Sequence, residues 1–287
     1  MPKTSEKYKT NYFFKKENDT NPIVFIHGVG LTKEIWAPQI EFFKDNNILI
    51  YDLIGHGKTP LEKKQLNFED FVKQLLNLIN ELDIKKIHLI GFSLGALIAR
   101  HFAAQHGDRL ASLILHGSIY KRSKEQKRVV ENRYELIKTD RPVSKDRALR
   151  RWFTEDFIKN NKDVYNKIFS ILEENSLDNL LKAYKLFVYY EDDDQMLSQI
   201  KTNTLVTTGQ HDVASTTDMS INLTENIKNA KYEVIKNGKH LCSIECADDF
   251  NKTVESFIDK NYDKNIIYPN VLLVSIYHTQ TFLLDVL

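Results

Sequence analysis

The chain has 287 residues, of which 42% are hydrophobic and 28% are charged, proportions typical of a globular protein. Lysine and arginine number 40 against 39 acidic residues, so the net charge of +1 offers no overall field for nucleic acid or an anionic membrane. No apolar run reaches the roughly 18 residues of a membrane-spanning helix, and the polar start does not resemble a signal peptide. We therefore expect a cytoplasmic protein that binds neither nucleic acid nor membrane, and leave homo-oligomerisation open.

Short apolar runs rich in β-branched residues recur along the chain, each with one or two glycines at its end or just beyond it: 23–26, 48–51, 87–90, 113–115 and 205–207. Runs without polar alternation are typical of strands buried on both faces of a parallel sheet. Between them, residues 68–82 repeat apolar side chains at helical spacing, and 94–106 also predicts a helix. Strand and helix therefore alternate, which predicts an α/β protein with a doubly wound, mostly parallel sheet. Ligands bind at the carboxyl ends of the strands in such sheets.

The glycines also indicate how the chain is divided. Residues 119–200 contain no glycine, carry many charges and predict several helices. We expect residues 1–118 and 201–262 to form the core and 119–200 to form a helical cap inserted over the strand ends. A separate helical domain is the less favoured alternative, because the strand pattern resumes at Thr204. Residues 263–287 are an atypical C-terminal tail, either an added element or an extension without a role in the fold.

A candidate nucleophile lies in Gly91-Phe92-Ser93-Leu94-Gly95, which fits the pattern G-x-S-x-G. In this pattern a sharp turn between a strand and a helix exposes the serine hydroxyl, and the glycines relieve crowding. Here a predicted strand precedes Ser93 and a predicted helix follows it. The alternative is that Ser93 only caps the helix in a glycine-rich turn.

A serine hydroxyl needs a base to take its proton and an acid to orient that base. In enzymes with this turn, the acid and then the histidine follow the serine along the chain. Asp212 follows the predicted strand 204–208, and His240 follows the predicted strand 232–235, so both belong to loops at the carboxyl ends of strands. We predict Ser93, Asp212 and His240 as the catalytic residues. An alternative role for Asp212 is to cap the next helix.

The negative oxygen of a tetrahedral intermediate requires hydrogen-bond donors fixed in advance. The backbone N–H of Leu94, directly after Ser93, is one candidate. The N–H of Val29, within His27-Gly28-Val29-Gly30, is the other. A phosphate-binding loop is not favoured, because the segment lacks the lysine and the glycine spacing of such loops.

Metal and disulfide chemistry are not expected. The two cysteines, Cys242 and Cys246, are spaced to share one helix face, which argues against a disulfide between them. Two thiols without a second pair of ligands make a poor zinc site. We interpret both as buried helix residues.

With these segments in order, residues 10–260 resemble the α/β-hydrolase family. The resemblance rests on His27-Gly28, the Ser93 turn, the stretch 52–57 (DLIGHG), 209–212 (GQHD) and 238–240 (GKH). The stretch 151–154 (RWFT) is similar to one in 3-oxoadipate enol-lactonases, and 212–215 (DVAS) is similar to their D-x-A-T turn, with serine in place of threonine. The resemblance implies hydrolysis of an ester or lactone without a cofactor.

The aromatic pair Trp152 and Phe153 stands in an otherwise highly charged cap. We expect both side chains to face the cleft above Ser93 and to contact the substrate. The alternative is that they form a small core of the cap itself.

The function predicted from the sequence is a serine hydrolase that acts on a small-molecule ester or enol-lactone. A C–C bond hydrolase or a cofactor-free perhydrolase could use the same three residues. A protein that binds the ligand without turning it over is a third reading.

Overall fold

The computed structural model describes residues 2–261. The predicted tail at 263–287 and residue 262 lie outside the described residues. Within the described part, no helix is both long enough and apolar enough to cross a membrane.

The strands form one sheet in the order β1-β2-β4-β3-β5-β6-β7-β8. Strands β3 to β8 pair in parallel, while β2 is antiparallel to both β1 and β4. The strands are Lys3–Thr4 (β1), Asn11–Lys15 (β2), Ile23–Ile26 (β3), Ile48–Tyr51 (β4), Ile87–Phe92 (β5), Leu110–His116 (β6), Thr204–Gly209 (β7) and Ala230–Ile235 (β8). The predicted α/β class with a mostly parallel sheet is confirmed, and the antiparallel edge is an addition that the sequence pattern did not predict.

Helices cover both faces of this sheet. Side chains of α2, α3 and α10 are buried with one face; side chains of α12 are buried with the other, against which partly buried side chains of α1 also pack. The bounds outside the cap are Ala37–Phe42 (α1), Phe68–Glu81 (α2), Leu94–His106 (α3), Thr217–Glu225 (α10), Cys242–Glu245 (α11) and Ala247–Asp259 (α12). The start of α2 is fixed by a capping box, in which Asn67 and Asp70 each accept the other's backbone N–H.

Six helices lie between β6 and β7, within the segment predicted to form the cap. They are Lys124–Thr139 (α4), Arg141–Trp152 (α5), Glu155–Asn160 (α6), Lys162–Glu174 (α7), Leu177–Val188 (α8) and Asp194–Ser198 (α9). Apolar side chains of these helices belong to the same buried clusters as the strands, with Tyr184 in one cluster and Leu149 in the other. The inserted helices therefore pack on the core and do not bury a separate core of their own.

Candidate active site

Ser93 stands at the turn between β5 and α3. Its backbone has a φ of 54° and a ψ of −113°, a left-handed conformation that costs a non-glycine residue about 1–3 kcal/mol. The turn is tight enough to require its glycines. A Cβ added to Gly91 would lie 2.2 Å from the carbonyl oxygen of Gly95, and a Cβ on Gly95 would lie 2.4 Å from that of Ile26. The side chain of Ser93 is thus presented by a strained turn that the surrounding packing holds in place.

His240 and Asp212 meet at the carboxyl ends of β7 and β8. The distance from His240 Nδ1 to Asp212 Oδ2 is 2.6 Å, and both side chains are buried. The other carboxylate oxygen, Oδ1, accepts the backbone N–H of Ala214 at 2.7 Å and that of Ser215 at 3.0 Å. Two backbone N–H groups of the DVAS turn (residues 212–215) thus donate to the carboxylate of its first residue, Asp212.

This environment keeps Asp212 ionised. Burial by itself would raise the pKa of its carboxyl group, but the charge and hydrogen bond of His240 and the two turn N–H groups bring the pKa below its ordinary value. A carboxylate facing Nδ1 favours the imidazole tautomer that carries its proton there. The lone pair of Nε2 is then available to accept a proton.

Gly117, just after β6, packs against the imidazole ring of His240. Its φ is 57°, and a Cβ there would lie 3.2 Å from Cε1 of His240. Its carbonyl oxygen accepts the hydroxyl of Ser215 at 2.7 Å. The ring of Phe92 packs against His240, with 4.9 Å between the ring centroids. The position of the imidazole is therefore set by both backbone and aromatic contacts.

Ser93 and His240 line one cavity of about 500 Å³ between the core and the cap. The loop of residues 28–31 forms part of its wall, including Val29. In the described part of the chain, the N–H of Val29 donates to no backbone carbonyl. Leu94 is the first residue of α3, where an N–H has no partner within the helix. Among the described residues, neither predicted donor is thus bound to a backbone carbonyl outside a helix or strand; Leu94 follows Ser93 directly, and Val29 lines the same cavity as Ser93.

Two hydrogen-bonding systems anchor this loop. The backbone N–H of Lys33 donates to Asp52 at 2.9 Å, and its ammonium group lies 3.3 Å from the same carboxylate. From the cap, the buried side chain of Asn175 donates its amide N–H to the carbonyl of Gly30 at 2.8 Å, and its amide oxygen accepts the N–H of Gly57 at 3.0 Å. The same amide nitrogen also donates to the carbonyl of Ile171 within the cap at 2.9 Å. The cap is thereby joined to two loops of the core through one side chain.

The loop of His240 is joined to the cap as well. The N–H of Leu241 donates to the carbonyl of Trp152 at 3.1 Å, at the end of α5. The carboxylate of Glu245 accepts the N–H of Lys239 at 2.9 Å and the N–H of Thr154 at 2.7 Å. The hydrogen bonds of Leu241 and Glu245 thus join the loop of His240 to residues 152–154 at the end of α5. We call this connection the α5 seam.

The structure separates the two aromatic residues predicted to contact the substrate. Trp152 lines the cavity. Phe153 does not line it: its side chain is fully buried and stacks on Phe157, with 4.8 Å between ring centroids. The prediction for Phe153 is corrected, because α5 ends at Trp152 and the extended backbone of Phe153 sends the two side chains in different directions.

Sequence reasoning missed two residues that adjoin this site, Asn175 and Arg133. Asn175 follows α7 in a stretch with no motif. Arg133 lies within the highly charged helix α4, where a cation looks like part of a solvated surface. The cysteines carry no disulfide, and residues 2–261 contain no cluster of three or more His, Cys, Asp or Glu side chains suited to a metal ion.

Comparison with known proteins identifies the family. A family model described as alpha/beta hydrolase fold matches residues 21–246, and the chain belongs to this family. The resemblance inferred from the sequence motifs is thereby confirmed.

Among characterised proteins, the chain is 27% identical over 256 residues to (E)-2-((N-methylformamido)methylene)succinate hydrolase of Acinetobacter baylyi, covering 88% of this chain and 95% of the relative. It is 24% identical to 3-oxoadipate enol-lactonase 2 of the same organism, over 90% of this chain and 96% of the relative. Among solved structures, the enol-lactonase of Burkholderia xenovorans LB400 superposes with a TM-score of 0.78 at 25% identity, covering 87% of this chain and 97% of that one.

Proposed function

We propose that this protein is a cytoplasmic serine hydrolase that cleaves a small carboxylic ester or a lactone without a cofactor. One observation carries the proposal: Ser93, held at positive φ, lines the same cavity as His240, whose Nδ1 is bound to a buried aspartate. The similarity to an enol-lactonase over most of the chain supports the ester or lactone bond as the target.

In the first half of the proposed reaction, Ser93 Oγ attacks the acyl carbon while Nε2 of His240 takes the hydroxyl proton. The π electrons of the carbonyl move to its oxygen, which the N–H groups of Leu94 and Val29 stabilise. The carboxylate of Asp212 stabilises the imidazolium that forms. Removal of one such oxyanion donor costs about 10²–10³ in kcat in a well-studied serine hydrolase.

Collapse of the tetrahedral intermediate breaks the bond to the leaving oxygen, which receives the proton from His240. With a lactone, this oxygen stays attached to the acyl group, so nothing departs at this stage. A water molecule then gives a proton to His240 and attacks the acyl-enzyme. The ester bond to Ser93 breaks, the carboxylic acid is released, and the proton returns to Ser93 Oγ.

The test is covalent labelling combined with turnover of short 4-nitrophenyl esters and an enol-lactone. A fluorophosphonate should modify Ser93 in the wild type, located by peptide mass spectrometry, and Ser93→Ala should abolish both labelling and turnover. Ser144→Ala is the matched control, because Ser144 also lines the cavity and lies in the cap. Turnover at the wild-type rate in Ser93→Ala, or labelling of Ser144, would contradict the proposal. A protein that bound these compounds without releasing any product would be a binding protein instead.

A further inference from the structure

The cap gives the cavity an excess of positive charge. Among the described residues that line it, six are arginine or lysine and one, Glu125, is acidic. The carboxylate of Glu125 already lies 3.0 Å from Arg128. The cavity therefore presents basic groups with little acidic compensation.

Most of these basic groups have partners that explain their positions. Arg122 donates to three backbone carbonyls between residues 187 and 190. Arg141 donates to three carbonyls between residues 172 and 175, and Lys145 pairs with Glu173 at 2.8 Å. Arg147 is exposed to solvent. Arg122 and Arg141 are each held by three carbonyls, although Nη1 of Arg122 and Nε of Arg141 have no partner among the described residues.

Arg133 on α4 and Arg151 on α5 differ from the others. Both are partly buried, and within residues 2–261 neither forms an ion pair. The guanidinium of Arg151 donates to the carbonyl of Arg147 in its own helix at 3.3 Å, and Arg133 has no hydrogen-bond acceptor among the described residues. Both side chains line the cavity, and neither has an acidic partner among the described residues.

The two arginines also influence each other. Burial lowers the pKa of both, and for Arg151 the charge of Arg133 lowers it further, to about 10. Tyr184 and Asp212 act in the opposite direction on the pKa of both, and both arginines line the same cavity as Ser93 and His240. Two like charges that are partly withdrawn from water and lie without a counter-ion are unfavourable, so a bound anion would offset that cost.

We propose that Arg133 and Arg151 bind a carboxylate on the substrate, remote from the bond that is cleaved. Planar guanidinium groups match a carboxylate with paired, charge-assisted hydrogen bonds. The preferred substrates are then short half-esters of dicarboxylic acids, or lactones that carry a free carboxylate, in place of neutral esters. This inference rests on the proposed hydrolase function for its substrate class, whereas the anion site itself does not require turnover.

The kinetic test compares the mono-4-nitrophenyl ester of adipic acid with the same compound capped as its methyl ester. Wild type should favour the free acid in kcat/KM. Arg133→Gln and Arg151→Gln should each lose about 10- to 100-fold on the free acid, the range expected for hydrogen bonds to a charged group. Turnover of the capped diester should stay within about threefold, since hydrogen bonds to the acyl centre are unchanged. Arg133→Lys should recover only part of the loss, because an ammonium group cannot form the paired contact.

Arg147→Gln is the matched control, since it removes the same charge from the cavity wall, one turn from Arg151, at an exposed position. It should leave the preference unchanged. The melting temperature of Arg133→Gln and of Arg151→Gln should be unchanged or higher without ligand, whereas a merely structural role of either side chain would lower it. Equal loss in Arg147→Gln, or equal effects on free acid and capped diester, would overturn the specific site.

A binding measurement separates this inference from the hydrolase proposal. Calorimetric titration of the wild type should detect pentanoate but not pentanamide. Pentanoate binding should fall by about 10-fold or more in Arg133→Gln and in Arg151→Gln. If no ester is hydrolysed and this pattern still holds, the anion site stands and the proposed function fails. If esters are hydrolysed at Ser93 and pentanoate binds no better than pentanamide, the function stands and the arginine site is wrong.

Discussion

Replacing Asn175 by alanine removes the side chain that joins the cap to the loops of Gly30 and Gly57. The buried carbonyl of Gly30 would lose its donor, which costs about 1–3 kcal/mol, while the N–H of Gly57 can turn to water. Together with the lost bond to Ile171, we expect destabilisation of about 2–4 kcal/mol. Because Gly30 adjoins Val29, we also expect kcat for a short ester to fall by about 10- to 100-fold, less than the complete loss of an oxyanion donor.

The assay measures kcat, KM and the free energy of unfolding for Asn175→Ala, Asn175→Asp and the control Asn161→Ala. Asn175→Asp keeps the acceptor for Gly57 but turns a carboxylate toward the carbonyls of Gly30 and Ile171, so its kcat should fall at least as far as that of alanine. Asn161 also lies in the cap, and its amide donates only to the carbonyl of Phe157, so its loss should affect stability alone. If Asn175→Ala is destabilised to the expected extent but keeps the wild-type kcat, the side chain stabilises the cap without positioning the loop, and the reasoning is refuted.

Three further predictions concern the site and the turn beneath it. Asp212→Asn should reduce kcat on the order of 10⁴-fold with a much smaller effect on melting temperature, because it removes the negative charge that stabilises the His240 imidazolium and fixes its tautomer. A small kinetic effect would indicate that another residue is the acid. Trp152→Ala should change the ranking of short against long acyl esters more than the melting temperature, and an unchanged ranking with a lowered melting temperature would make Trp152 structural. Gly91→Ala should destabilise the fold by about 1–3 kcal/mol or more, because its Cβ would overlap the carbonyl of Gly95, whereas Gly107→Ala, with its nearest contact at 3.6 Å, should fold as the wild type does.

The parallel part of the sheet and the placement of Ser93, Asp212 and His240 at its edge could be predicted because their signals are local. An uninterrupted apolar run predicts a buried strand, and the glycines after it mark the turns. Strand β2 could not be predicted in this way, since Asn11–Lys15 mixes polar and aromatic residues and is only partly buried. Its pairing with β4 depends on a distant segment.

The cap was predictable in composition but not in detail. Trp152 and Phe153 are adjacent and similar in chemistry, yet one lines the cavity and the other is buried against Phe157. That difference depends on where α5 ends. Arg133 could be identified as a candidate anion-binding residue only from the packing of α4 and α5, which leaves it without a counter-ion. A residue whose role depends on the absence of a neighbouring counter-ion leaves no pattern in the sequence.

The α5 seam limits how this protein could be re-engineered. A cap can be regarded as an exchangeable module that sets specificity, while the core supplies the chemistry. Here the hydrogen bonds of Leu241 and Glu245 make the end of α5 part of the support of His240. A chimaera that received a foreign cap would have to keep residues 150–154, or it would acquire a new specificity together with a displaced base. The same connection means that a substrate cannot enter by lifting α5 away from the core, because such a hinge would carry His240 with it.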